Sequence, residues 1–113
     1  MHEMSLCQGV IQILEEQAAA HHFSRVKMVR LEIDPLAAVE PGAMRFCFGA
    51  VARGTLAESA ELDIITTEVT AWCFPCGDLV TIKDRPAVCP NCGGYQLQMT
   101  GGNELRIKEL EVA

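Results

Sequence analysis

Met4, Cys7, Val10, Ile11, Leu14 and Ala18 recur at helical spacing, with Gln8, Gln12, Glu15 and Glu16 falling between them. That period predicts an amphipathic helix over residues 4–20 with one face in a core. His21 and His22 stand at its C-terminal end, where the helix dipole and the last carbonyls favour a cation or a donor. The period then changes to two. Val29, Leu31 and Ile33 alternate with Arg30 and Glu32, so residues 26–33 read as a strand. Its phase slips between Met28 and Val29, which requires either a bulge or a strand buried on both faces.

Pro41 suits the first turn of a second helix, with Glu40 beside its positive end. Met44, Cys47, Phe48 and Val51 form the apolar stripe, and Gly54 is a stop signal. Residues 62–69 are rich in Ile, Thr and Val and predict a second strand. Leu105, Ile107, Leu110 and Val112 mark a third over residues 104–112. Strand, helix, strand in that order predicts a right-handed parallel crossover. The expected class is α+β: a small three-stranded mixed sheet with two helices, and an inserted cysteine module. If the strands on either side of that module pair with each other, it sits at the tip of an antiparallel pair. The boundaries fall near Ala71 and at Gly101-Gly102, a pivot of two glycines. One domain is then 1–70 with 103–113, the other 71–102.

The module is defined by Cys73-Phe74-Pro75-Cys76 and Cys89-Pro90-Asn91-Cys92, two matched pairs with twelve residues between them. Each C-x-x-C can fold into a knuckle aiming two thiolates at one ion, and two knuckles complete a tetrahedral sulfur shell, as in structural zinc sites. A full shell has no open position for water or substrate, so such a zinc ion is structural. Two disulfides, or an iron site of the same spacing, are the alternatives. The chain opens without a basic and apolar secretory signal, and a reducing cytoplasm would keep the thiols free.

Composition narrows the functions. The 113 residues allow one modest core, and no apolar run approaches a membrane span. Fifteen acids against nine Lys and Arg give a net charge of −6, and residues 71–100 carry only Lys83 and Arg85 against Asp78 and Asp84. With four thiolates around a divalent ion the module is net negative, a poor binder of phosphate backbones. No phosphate-cradling loop or nucleophile elbow occurs, and no histidine follows His22, so no enzyme is expected.

The N-terminus offers different chemistry. The amine of Met1, the amide nitrogen of His2 and its imidazole can close fused chelate rings on one metal, with the amide or carboxylate of Glu3 completing a plane. Such a nitrogen set suits Ni(II) or Cu(II) better than Zn²⁺. Cys7 and Cys47, on the apolar faces of the two helices, read as buried small hydrophobes.

Taken together, Met1-His2-Glu3-Met4-Ser5-Leu6, the segment Val39-Glu40-Pro41-Gly42-Ala43-Met44-Arg45-Phe46-Cys47-Phe48, and Ala71-Trp72-Cys73 with the cysteine quartet strongly resemble the HypA/HybF family of hydrogenase nickel-incorporation proteins. The resemblance runs through the whole chain. It implies a cytoplasmic nickel metallochaperone that passes Ni(II) to the [NiFe] hydrogenase large-subunit precursor together with a HypB-type GTPase. It implies nickel, as transient cargo, on His2 with Met1 and Glu3, and structural zinc on Cys73, Cys76, Cys89 and Cys92. The contrasting reading is a zinc-ribbon module that recruits a protein or nucleic acid, with His2 incidental. Nucleic acid and membrane are not expected partners, and whether two copies share nickel stays open. The first helix, through Glu15 and Glu16, is the expected contact for the GTPase. Asp34-Pro35 and Ser59 stand where the family often has glycine, so the turns there are expected to differ.

Overall fold

A computed structural model describes residues 2–113. Its elements run α1 (Glu3–His21), β1 (Val26–Ile33), α2 (Pro41–Val51), β2 (Glu61–Thr66), β3 (Val69–Cys73), β4 (Asp78–Ile82), β5 (Leu97–Gln98) and β6 (Leu105–Val112). They form two three-stranded sheets, β2-β1-β6 and β4-β3-β5. Both predicted helices and the mixed sheet are present. Contacts divide the chain into two compact units. One comprises the chain up to Leu31, Val39–Ile64 and Ile107–Ala113; the other comprises Glu32–Ala38 and Ile65–Arg106.

In the first unit α1 buries Glu3, Cys7, Val10, Ile11 and Leu14. The expected stripe began at Met4, which is instead exposed, because Glu3 lies one turn before Cys7 on the buried line. A carboxylate can occupy that place only because amides satisfy it. His22 closes the helix in the left-handed conformation, φ 58°. Glu40 does more than sit near a dipole: its side chain accepts from the amides of Gly42 (3.1 Å) and Ala43 (2.6 Å), capping α2 ahead of Pro41. Met44 and Phe48 are buried beneath that helix, whereas Cys47 is only half-buried.

Strand β1 holds the middle of its sheet, with Val26, Met28, Val29, Leu31 and Ile33 buried. Met28 and Val29 are consecutive and both buried within an uninterrupted strand, which explains the slip in phase. Its partners run oppositely. The Ala113 amide donates to the Arg25 carbonyl (3.0 Å) and the Asp34 amide to that of Glu104 (2.9 Å), an antiparallel course for β6. Arg30 meets Asp63 (2.6 Å) and the Thr67 amide donates to the Ile33 carbonyl (3.0 Å), a parallel course for β2. The expected pairing of the strands that flank the cysteine module is therefore corrected: β1 lies between β2 and β6. The most apolar strand takes the place with two hydrogen-bonded edges, and the half-polar ones take the outside. Ser59 adopts a positive φ of 66°, a conformation glycine takes without strain, which accounts for glycine at this turn in the family pattern.

In the second unit Asp34 ties three segments together. One carboxylate oxygen accepts from Thr67 Oγ1 and Arg106 Nη2, both at 2.7 Å; the other accepts from the Glu104 amide (3.1 Å) and Arg106 Nη1 (3.4 Å). The Arg106 guanidinium, then the Thr67 hydroxyl, hold this 7% exposed carboxyl down at about 2. Replacing Asp34→Asn is expected to destabilise the fold by about 2 kcal/mol in urea unfolding, since charge-assisted bonds to a buried carboxylate are lost. The unfolded carboxyl titrates near ~3.9. The native value is depressed, so this stabilisation is present above roughly pH 4 and disappears as pH falls towards 2. The gap between wild type and variant should close over that window; a constant gap would show that the charge is not responsible.

The cysteine module contains a sheet of its own, which the hydropathy pattern concealed. β3 pairs antiparallel with β4, Val69 opposite Ile82 and Cys73 opposite Asp78, and with β5 through Trp72 opposite Gln98. Its buried residues are Ala71, Cys73, Val80, Ile82 and Cys89. Two of these five are cysteines and one is alanine, so the inward face lacks the large aliphatic alternation that identifies a strand. Gly101 and Gly102 both have positive φ, and a Cβ at Gly102 would lie 3.0 Å from Val69 Cγ2. The Gly102 carbonyl accepts from the Leu36 amide at 2.8 Å. Glycine is required there by close packing as well as by backbone conformation.

Candidate metal centres

The two cysteine pairs fold into matched knuckles. The amide of Gly77 donates to the Cys73 carbonyl, and that of Gly93 to the Cys89 carbonyl, each at 2.8 Å. Gly77 and Gly93 have φ of 61° and 74°. A glycine directly after each C-x-x-C was thus a readable signal for the turn, which needs a left-handed residue at that point. Cys73 and Cys89, the first of each pair, are buried; Cys76 and Cys92 are exposed.

All four sulfurs lie within 4.8 Å of one another. Cys73 and Cys92 Sγ are 3.7 Å apart, and Cys76 and Cys89 Sγ are 3.8 Å apart. A tetrahedron with metal–sulfur bonds of ~2.3 Å has edges of about 3.8 Å, so the spacing fits one four-coordinate ion. A disulfide needs ~2.05 Å, and all six cysteines are free. Electrostatics point the same way. The amides of Cys92 and Asn91 donate to the Cys89 sulfur at 3.5 and 3.4 Å and bring its thiol down to about 6. Cys73, followed by Cys92 and Cys89, crowds Cys76 and pushes its thiol up to about 12. Four thiolates cannot coexist at this spacing without a cation between them.

At the other candidate site, Met1 lies outside the described residues. His2 is exposed and serves as the N-cap of α1, its carbonyl accepting from the Leu6 amide at 3.0 Å. Glu3 is 8% exposed, and its Oε2 accepts from the Glu40 amide at 3.3 Å. Its own amide and that of Glu40 hold the carboxyl below the usual range, so it is ionised at neutral pH. This link was not legible from the pattern: the residue joined to Glu3 stands 37 positions away. A second contact joins the same segments. Cys7 Sγ lies 3.5 Å from the Met44 carbonyl and 3.7 Å from Met44 Sδ, and burial pushes the Cys7 thiol up to about 11. The N-terminal segment and the Val39–Phe48 segment, far apart in sequence, are therefore packed together. Among the described residues the cysteine quartet is the one group of three or more ligating side chains gathered within reach of one ion.

These features define a small metal-binding protein with a preformed four-cysteine site and an exposed histidine at its first helix. The family described as hydrogenase/urease nickel incorporation, metallochaperone, hypA matches residues 1–112. The chain belongs to that family. It is 59% identical to the hydrogenase maturation factor HypA of Azotobacter chroococcum and 54% identical to that of Rhodopseudomonas palustris strain BisB5, each over 112 residues and 99% of both chains. Among solved structures it resembles the solution structure of the Ni metallochaperone HypA from Helicobacter pylori. That similarity has a TM-score of 0.69 and 27% identity, and covers 99% of this chain and 97% of the other. No helix among the described residues is long and apolar enough to cross a membrane.

Proposed function

We propose that this chain binds Ni(II) at its N-terminus and delivers it to the [NiFe] hydrogenase large-subunit precursor in the cytoplasm, acting with a HypB-type GTPase. The observation that carries this reading is His2 exposed at the start of α1 in a member of a nickel-incorporation family. The Met1 amine and the His2 amide and imidazole form the chelate, with Glu3 beside it. An exposed site with few ligands suits a carrier, which must release its cargo. Nickel competes with protons for the amine and imidazole, so acidification favours release.

Cys73, Cys76, Cys89 and Cys92 hold zinc, which supplies folding free energy and no open coordination position. Residues 1–70 with 103–113 act as the nickel domain and 71–102 as the zinc domain. Glu15 and Glu16, both exposed on α1, support that helix as the contact for the GTPase. Catalysis has no place in this scheme.

Titration of untagged zinc-loaded protein with Ni(II) tests it. One equivalent should develop the visible absorption of a square-planar complex, and the loaded protein should transfer nickel to the precursor when the GTPase is present. A titration without stoichiometric uptake would leave only the interaction-module reading.

A further inference from the structure

We propose that Cys7 and Cys47 are a modification site: a small-molecule disulfide such as oxidised glutathione converts the two thiols into a reversible disulfide that ties α1 to α2. With the quartet metal-filled, these are the two thiols left of the chain's six. They stand on neighbouring helices. The Glu3–Glu40 and Cys7–Met44 contacts both join residues 37 apart, so α1 and α2 advance side by side in the same direction. Cys7 Sγ lies 3.5 Å from the Met44 carbonyl oxygen. Cys47 follows Met44 by three residues in α2, so it leaves the same face one turn on, and helical side chains lean back over the preceding turn. Both thiols therefore border one carbonyl.

Packing brings the backbones within reach of a bond. Helix axes 8–10 Å apart, with each Cα ~2.3 Å from its axis, set directly facing Cα atoms about 5 Å apart and flanking ones slightly further. A disulfide takes Cα separations of roughly 4.4–6.8 Å. An independent sign of the approach is that charge on Cys47, after burial, opposes ionisation of Cys7.

The two thiols have unequal parts. Cys7 is wholly buried and its thiol is pushed up to about 11, which makes it inert towards an oxidant in solution. Cys47 is half-buried and meets the oxidant first. Its thiolate attacks one sulfur of the small disulfide, forming a mixed disulfide and releasing one thiolate. Cys7 then gives its proton to solvent and attacks Cys47 Sγ, and the second small thiolate leaves. Two protein thiols are oxidised and one small disulfide is reduced to two thiols, so electrons and protons balance. The new bond lies one helical turn beyond the Glu3–Glu40 contact and closes residues 7–47 into a loop. Closing a loop of about forty residues restricts the unfolded chain and should raise the thermal midpoint by at least about 10 °C.

The full chain with zinc on its quartet is incubated with oxidised glutathione, quenched with an alkylating agent and mapped by mass spectrometry without reduction. A peptide containing Cys7 is expected in disulfide linkage with one containing Cys47, with zinc content unchanged and the rise in midpoint reversed by reductant. Cys7→Ala should instead stop at one glutathione on Cys47. Cys47→Ser, altered at a half-buried position, should take up none and gain no stability. Retained zinc and helical circular dichroism confirm that both variants fold, and His2→Ala should crosslink as the wild type does, which separates this proposal from the nickel reading. Three results would overturn it: a wild-type chain that keeps glutathione on Cys47 without closing the link, oxidation that appears only in the quartet with loss of zinc, or two thiols that stay free throughout.

Discussion

Stripping the metal from the cysteine quartet with a strong chelator is expected to unfold the module from Val69 to Met99. The buried core there consists of Ala71, Cys73, Val80, Ile82 and Cys89, with Val69, Ala87, Leu97 and Met99 packed at its margin. Full burial of a Val or Ile stabilises by only about 1.5–3 kcal/mol, and fixing each backbone residue costs about 1–2 kcal/mol. Two large aliphatic side chains cannot order some thirty residues. Structural zinc bound to small modules supplies on the order of 10–16 kcal/mol, enough to reverse the balance. Without a cation, the sulfurs at 3.7 and 3.8 Å crowd one another as they ionise, so the apo module lacks its ligands' attraction and gains their repulsion.

The substitution Cys76→Ser should act in the same direction, because a hydroxyl is a poor donor to zinc and leaves a three-sulfur shell. Metal affinity is expected to fall by orders of magnitude. Proteolysis within the module, together with a red-shifted Trp72 emission, reports the loss. Helical circular dichroism from α1 and α2 should persist, since both helices belong to the first compact unit. A chelated protein that keeps protease resistance across residues 69–99 would show that the apolar core suffices. Affinity should also rise with pH. Binding displaces the protons of the quartet, most of all the one on Cys76.

The second large effect lies at the N-terminus. His2→Ala is expected to weaken nickel binding by at least about a hundredfold, as loss of the imidazole opens one chelate ring and removes a strong nitrogen donor. Zinc content and thermal stability should not change. His2 is exposed and its side chain makes no capping bond to α1, so the helix loses nothing. Adding one residue before Met1 should do similar damage without removing any side chain, because it turns the terminal amine into an amide. Calorimetric titration with Ni(II), alongside metal analysis of the quartet, distinguishes these outcomes. Undiminished affinity in the extended chain would exclude the amine from the site.

Glu3 gives a graded control. Its carboxylate is engaged by the Glu40 amide, so it holds α1 against the start of α2. The metal-ligating role proposed for it competes with that bond, and the residue therefore links the cargo site to the capped helix.

How much of this was legible in the sequence differs from element to element. Both helices follow from local period and end signals, and they fall within a residue or two of their expected limits: Pro41 and Glu40 act on the turn beside them. The quartet was equally legible, because four thiols in C-x-x-C pairs have few other ways to lower their free energy in a reducing setting. β3 was not, since a strand whose inward positions are Ala71 and Cys73 has no hydrophobic alternation to display, and β4 and β5, of five and two residues, are too short to set a period. Met4 and Glu3 were exchanged for a related reason: helical periodicity ranks residues by polarity, whereas burial of Glu3 depends on an amide supplied by a distant segment.

By itself, then, the sequence determined both helices, the strands of the larger sheet, the four-cysteine cluster and a histidine beside the chain's first residue, together with the motifs that place it in a nickel-incorporation family. Each depends on interactions over a few residues, or on side-chain chemistry that survives any fold. Only the tertiary structure decided that β1 lies between β2 and β6, that Asp34 gathers Thr67, Glu104 and Arg106, that Glu3 rests on Glu40, and that β4 is left with an open edge. Those outcomes turn on which hydrogen-bonding groups remain unpaired after the chain has folded back on itself, a quantity no single segment carries.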